Sequence, residues 1–345
     1  MKSRPVENPP IRFRDVTVTY DDGDGPPPAT VTLLEDQSRS ILSRNDSPDL
    51  HFRWSANPYR GCQTACGYCY ARPNHEYLDL GAGTDFDTKL VFKPRAAELL
   101  REAFDKPSWK GELVMFSGVT DCFQPIERDL KLTQQCLQVC LEYRNPVSII
   151  TKHALVERDV ELIAELAREA GLNLNVSLAW LDAELARTIE PWAPAPLRRL
   201  KVIETFAKAG VPVGIMMAPI IPGLNDNQIV KLLEAARSAG AQWAGWTLLR
   251  LPGVVKDVFE DRLRVSLPLV ADRVMNRVRE TRGGDKLYDA AFGVRGRGVG
   301  VYAQTIASLF ETTVKRLGFA GRDDEPNPTS RFRRPAKPTN QLTLF

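Results

Sequence analysis

Three segments of this chain end alike, at Ala170-Gly171, Ala209-Gly210 and Ala239-Gly240, and an apolar run follows each. Glycine just past a helix takes the left-handed conformation that ends it. The repeated order of helix, glycine and strand predicts βα units with parallel strands and right-handed crossovers. Apolar runs at 112–116, 147–151, 172–178, 211–217 and 244–249 read as the strands. Between two of them Val156, Val160, Ile163, Leu166 and Ala170 keep the spacing of one helix face. A further strand at 51–55 makes six units by Pro252, two short of a closed eight-unit barrel. A partial barrel and an open doubly wound sheet both fit, and in each the ligands sit at the C-terminal ends of the strands.

At 345 residues, 43% hydrophobic and 26% charged, the chain is excluded from collagen, coiled coil and wholesale disorder. It can bury a core without disulfides. No apolar run approaches the ~20 residues that cross a bilayer. The first ten residues lack the apolar stretch of a secretory signal, so a cytoplasmic protein is expected. In a reducing compartment its six cysteines are expected to be ligands, catalytic groups or core residues. Cys136 and Cys140, spaced i, i+4 beside Leu132 and Val139, read as a core stripe.

The organisation reads as four parts. Residues 1–50 form an irregular lead-in, with a loop at Asp21 to Pro28. Residues 51–281 form the core domain. Residues 282–320 hold a glycine- and arginine-rich loop and a helix with Ile306, Leu309, Phe310, Val314 and Leu317 on its apolar face. That loop either binds phosphate or nucleic acid over the mouth of the fold or merely connects. Residues 321–345 are polar and proline-rich and read as a disordered tail. From Pro326 to Phe345 it carries four basic residues, Arg331, Arg333, Arg334 and Lys337, and no acidic one, which exceeds the whole net charge of +3.

The chemistry concentrates at Tyr59-Arg60-Gly61-Cys62-Gln63-Thr64-Ala65-Cys66-Gly67-Tyr68-Cys69-Tyr70, just after the first strand. A cubane iron–sulfur cluster has four irons, so three local thiolates leave one open to a non-protein ligand. Zinc instead takes four tetrahedral ligands, and His75 could complete a Cys₃His set. The position at a strand's C-terminal end favours an active site.

The Cys-x₃-Cys-x₂-Cys spacing, with an aromatic before the third cysteine and a βα series after it, resembles the radical SAM superfamily. Asn57 to Gly61, Tyr70 to Pro73, Thr120 to Glu127, Thr151-Lys152 and Ala218 to Asp226 resemble its spore photoproduct lyase-related branch. The resemblance implies a partial (β/α)₆ barrel with a [4Fe–4S] cluster on Cys62, Cys66 and Cys69. It further implies that S-adenosylmethionine (SAM) binds the fourth iron and is cleaved reductively to a 5′-deoxyadenosyl radical that abstracts hydrogen from substrate. An electron donor of flavodoxin or ferredoxin type is implied with it. Tyr68 would lie beside the adenine; Gly118, Thr120 and Asp121 would face the methionine amino group. Lys152 and Ser177 would meet the carboxylate and ribose, and Ile221 and Gly223 would support the adenine. Pro219 and Asp226 depart from the branch's fifth-strand pattern. Spore photoproduct lyase uses a cysteine as hydrogen donor where this chain has Val119. Cys122, three residues on, is the candidate donor here, and photoproduct reversal is not carried over.

The last five residues, Gln341-Leu342-Thr343-Leu344-Phe345, resemble the short peptide that docks bacterial repair proteins on the DNA sliding clamp. Gln341 would bond beside the clamp pocket, and Leu342, Leu344 and Phe345 would fill it. These observations predict a radical SAM enzyme of unassigned substrate, with nucleic acid as the leading reading. The alternatives are a radical modifier of protein or small metabolite, and a zinc-stabilised nucleic-acid-binding module without catalysis.

Overall fold

Six parallel strands lie side by side in the order in which the chain makes them. They are β1 (Trp54–Ala56), β2 (Val114–Phe116), β3 (Val147–Thr151), β4 (Leu172–Ser177), β5 (Val213–Ile220) and β6 (Ala244–Leu248). A doubly wound sheet reverses its order at a switch point. This one never does, so the partial (β/α)₆ barrel is the architecture. The computed structural model describes residues 8–9, 30–320 and 330–336. The loop expected at Asp21 to Pro28 lies outside them, as do Gln341, Leu342, Leu344 and Phe345.

The covering helices are α1 (Ala96–Asp105), α2 (Leu132–Glu142), α3 (Val160–Glu169), α4 (Pro196–Lys208), α5 (Ile229–Ser238), α6 (Val255–Ser266), α7 (Pro268–Glu280) and α8 (Gly300–Arg316). Strand alternation assigns the two faces of the sheet. In β4, Leu172, Leu174 and Val176 join the helix-side core, which leaves Asn173, Asn175 and Ser177 on the barrel's inner face. In β3, Val147 and Ile149 join that core, so Lys152 continues the inner face set by Ser148 and Ile150. Each fully buried Val, Leu or Ile side chain contributes ~1.5–3 kcal/mol.

Three expectations need correction. The lead-in is not irregular throughout: Thr32–Glu35 pairs in parallel with Lys89–Phe92, and Leu42–Arg44 pairs antiparallel with β1. On α8 the buried face is Ala303, Ile306, Phe310 and Thr313, while Leu309 turns 40% of its surface to solvent.

The third correction concerns the tail, of which residues 330–336 dock on the barrel. Phe332 stacks on Tyr143 and meets Phe104 edge-on, at centroid distances of 6.2 and 6.0 Å. Arg334 donates to the carbonyls of Phe104, Lys106 and Trp109, Arg331 to that of Arg168, and the Arg333 N–H to that of Tyr143. Composition predicts disorder; over residues 330–336 two distant aromatic partners override it.

The loop before α8 ties the two edges of the sheet together. The Leu248 N–H donates to Gly296 O at the β6 edge. Arg295 and the Gly293 N–H both bind Asp49, in the hairpin that joins Leu42–Arg44 to β1. Arg282, 3% exposed, donates to Val294 O, Leu249 O and Arg295 O, and Arg297 lies 4.3 Å from the centre of the Trp246 ring. The loop's arginines are thus drawn into the fold.

Candidate active site

The cysteine loop leaves β1 through Gly61, whose φ of +78° suits glycine. A Cβ there would meet His75, Leu90 and the Phe86 carbonyl at 3.0 Å. Cys62 and Cys66 are buried and Cys69 half-buried. Burial first, then the Asp121 carboxylate and the Cys69 charge, push the Cys62 thiol up to about 12. Burial likewise raises Cys66, against the opposing pull of Lys152, and raises Cys69 against that of Arg72. Such thiols become thiolates when a metal displaces their protons.

Buried polar groups fix this loop in place. Arg72, fully buried, donates through Nε and Nη2 to Cys66 O at 3.1 and 2.9 Å. Arg262 donates to Ala65 O, which suits the left-handed φ of +53° at Ala65. Asp87 accepts from both guanidiniums, at 2.9 and 2.8 Å. Gln124 donates to Gly61 O and accepts from the Gln63 N–H. Cys62 donates to the Thr64 hydroxyl, which bonds His153 at 2.8 Å. The segment Thr120 to Glu127 therefore braces the loop from β2, with Glu127 accepting from the Tyr59 hydroxyl.

Tyr68, Lys152, Ser177 and Ile221 come together. The Lys152 ammonium lies 5.9 Å from the Tyr68 ring centre and donates to Ser177 Oγ at 3.1 Å. Burial opposes its charge, but Cys66 and Glu190 hold it above the ordinary lysine range. Tyr68 and Ile221 share an apolar cluster with Cys66 and Trp180, whose buried indole N–H has no acceptor among the described residues. The remaining candidates sit differently. Asp121 accepts from the Thr151 hydroxyl and the backbone N–H groups of Phe123 and Lys152, stapling β2 to β3. Thr120 donates to Tyr59 O and accepts from Asn57. Gly118 and Thr120, with Val119, line a cavity of about 270 Å³ that also touches Asn57, Gly61 and His75. Gly223, at φ +77°, is held by Asp226, which also accepts from Tyr302.

Cys122 does not belong here. It is fully buried in the helix-side core, its N–H bound to Ser117 Oγ and its carbonyl to the Thr133 hydroxyl. Cys136 and Cys140 are fully buried in the same core.

The donor set fits a cubane better than zinc. His75 bonds Lys89 O through Nε2 and packs edge-on against Phe86. In a cubane each thiolate meets a different iron, so the three cysteines need no fourth protein ligand.

A family model described as "Radical SAM superfamily" matches residues 56–236, more than half of the chain. The chain belongs to the radical SAM superfamily. Radical SAM enzymes carry a [4Fe–4S] cluster and SAM, and the three thiols of the cysteine loop are the group such a cluster needs. An uncharacterized protein of Mycobacterium tuberculosis is 40% identical over 214 residues, 61% of this chain and 63% of that protein. One from Methanocaldococcus jannaschii is 32% identical over 179 residues, 52% and 64% respectively. The matches thus span under two thirds of these relatives' own lengths. Among solved structures, spore photoproduct lyase complexed with dinucleoside spore photoproduct superposes with a TM-score of 0.58 at 15% identity, covering 83% of this radical SAM chain and 80% of the lyase. A lyase mutant with bound AdoMet gives 0.57, covering 84% and 81%. Both are likenesses of fold.

Glu190, Arg199, Asp87, Arg262 and His153 escape the sequence reading. Arg199 carries the one faint signal, a cation on the inward side of an otherwise amphipathic helix.

Proposed function

We propose that this chain cleaves SAM reductively and acts on a nucleic-acid substrate from its 51–281 core. The observation that carries the reading is the buried three-thiol loop at the end of β1, facing Lys152 and Ser177 across Tyr68. When bound, the cluster and SAM supply one-electron cleavage to methionine and a hydrogen-abstracting 5′-deoxyadenosyl radical. Cys62, Cys66 and Cys69 would hold three irons. Lys152 keeps donors free for a carboxylate, Ser177 borders the ribose, and Tyr68 and Ile221 supply apolar surface for the adenine. Gly118, Thr120 and Asp121 would border the methionine amino end. The apolar cluster of Cys66, Tyr68, Trp180 and Ile221 would keep water away from bound SAM.

Nucleic acid is favoured over protein or small metabolite by two arginine-backed aromatics. Tyr70, 45% exposed, stacks with Arg250 at 5.2 Å, and Phe292, 57% exposed, with Arg295 at 4.6 Å. Exposed rings beside cations suit stacked bases and backbone phosphates. Gln341, Leu342, Leu344 and Phe345 would bring the enzyme to a DNA sliding clamp, in the cytoplasm, with a flavodoxin- or ferredoxin-type donor. Titrating a 335–345 peptide against purified clamp tests that arm, and absence of saturable binding removes it.

Anaerobic reconstitution with iron and sulfide should give a brown protein that forms 5′-deoxyadenosine from SAM under reductant. Cys62→Ala, Cys66→Ala and Cys69→Ala should each abolish the colour and the product. A colourless, zinc-loaded wild type that leaves SAM intact would overturn the reading. Deuterium transfer from labelled oligonucleotides then tests the substrate class.

A further inference from the structure

One carboxylate joins the two surfaces between which SAM would bind. Glu190, 1% exposed, follows the short helix Ala183–Ile189 in the connection after β4. One of its oxygens accepts from the Tyr68 hydroxyl, the other from Arg199 Nη2. Arg199, fully buried on α4, reaches the β4 end by donating from Nη1 to Ser177 O at 3.1 Å, and donates from Nε to Pro194 O at 2.8 Å. One residue earlier, Ile189 O accepts the Gly67 N–H of the cysteine loop at 3.1 Å. Tyr68 stands between two of the cluster cysteines, and Ser177 bonds Lys152.

The charges single out the same residue. Arg199 and Lys152 are two cations, and Glu190 is the carboxylate whose field acts on Lys152 along with that of Asp121. Asp121 is already committed to the Thr151 hydroxyl and two backbone N–H groups. Stripping a buried charge of its partner is costly, so Arg199, ion-paired with Glu190, depends on it for its placement.

We propose that Glu190 is a positioning residue for SAM: through Tyr68 and Arg199 it sets the cysteine loop at a fixed distance from the Lys152–Ser177 edge. It need not touch the cofactor; it holds the two surfaces that do. This rests on the radical SAM reading, which wild-type protein tests in the same experiment.

The experiment compares wild type, Glu190→Gln and Tyr68→Phe after anaerobic reconstitution. It reads iron per chain, thermal melting, SAM affinity by equilibrium binding, and the electron paramagnetic resonance change of the reduced cluster on adding SAM. Glu190→Gln keeps an acceptor for Tyr68 but removes the charge; Tyr68→Phe keeps the ring but frees the carboxylate. Both variants should retain iron while SAM affinity falls roughly 10- to 100-fold, the range seen when groups supporting a ligand shell are removed. The spectral change should then require correspondingly more SAM. Wild-type SAM affinity in a folded, iron-loaded Glu190→Gln overturns the proposal. If that variant fails to fold, wild-type affinity in Tyr68→Phe overturns it equally. A wild type with iron but no spectral response to SAM would instead remove the cofactor reading itself.

Discussion

The cysteine loop and the docked tail segment are both fastened by guanidinium groups on backbone carbonyls, but the two fastenings differ in kind. At the loop, Arg72 and Arg262 are buried or nearly so and share the Asp87 carboxylate. At the tail, Arg331 and Arg334 are exposed and donate to carbonyl oxygens, while Phe332 carries the packing. A buried cation needs a counter-charge because water cannot supply one; an exposed cation does not. The loop is therefore an electrostatic lock, and the tail an aromatic plug with polar trim.

Substitutions can break this contrast. Asp87→Ala leaves two guanidiniums uncompensated and should cost ~3–5 kcal/mol. It should also lower the iron held after reconstitution, as read by denaturant melts and iron assay. Phe332→Ala should cost about 2 kcal/mol, the scale of one large apolar side chain re-exposed, with iron retained. Cys122→Ala should cost about 1 kcal/mol and leave 5′-deoxyadenosine formation intact, because the thiol is core packing. Product formation that fails while SAM cleavage persists would restore it as a hydrogen donor. Arg334→Ala should fall within about 1 kcal/mol, the worth of ordinary exposed hydrogen bonds. A loss there as large as that for Asp87→Ala would erase the distinction.

The strands were legible because glycine stops and β-rich runs are local signals, and β3 was read to the residue. The strand order followed from neighbouring βα units adding on one side. The cysteine loop was legible because its three thiols lie within eight residues of one another, just after the first strand. Glu190, Arg199, Asp87 and Arg262 were not, since each gains meaning only from a partner remote in sequence; Arg262 and Ala65 lie 197 positions apart. Asp121 was found, but as a staple between strands. Phe332 was hidden by its own neighbourhood, because composition averages a single anchoring ring into a polar, proline-rich stretch.

The loop from Gly293 to Gly296 binds β6 at one end and Asp49 at the other, so it acts as a hoop around an otherwise split cylinder. In a closed barrel the circumference is set by hydrogen bonds between the first and last strands. Here it is set by one carboxylate, one arginine and a few backbone contacts. The open side of the sheet is therefore spanned by side-chain chemistry centred on Asp49 and Arg295, and not by a strand pairing.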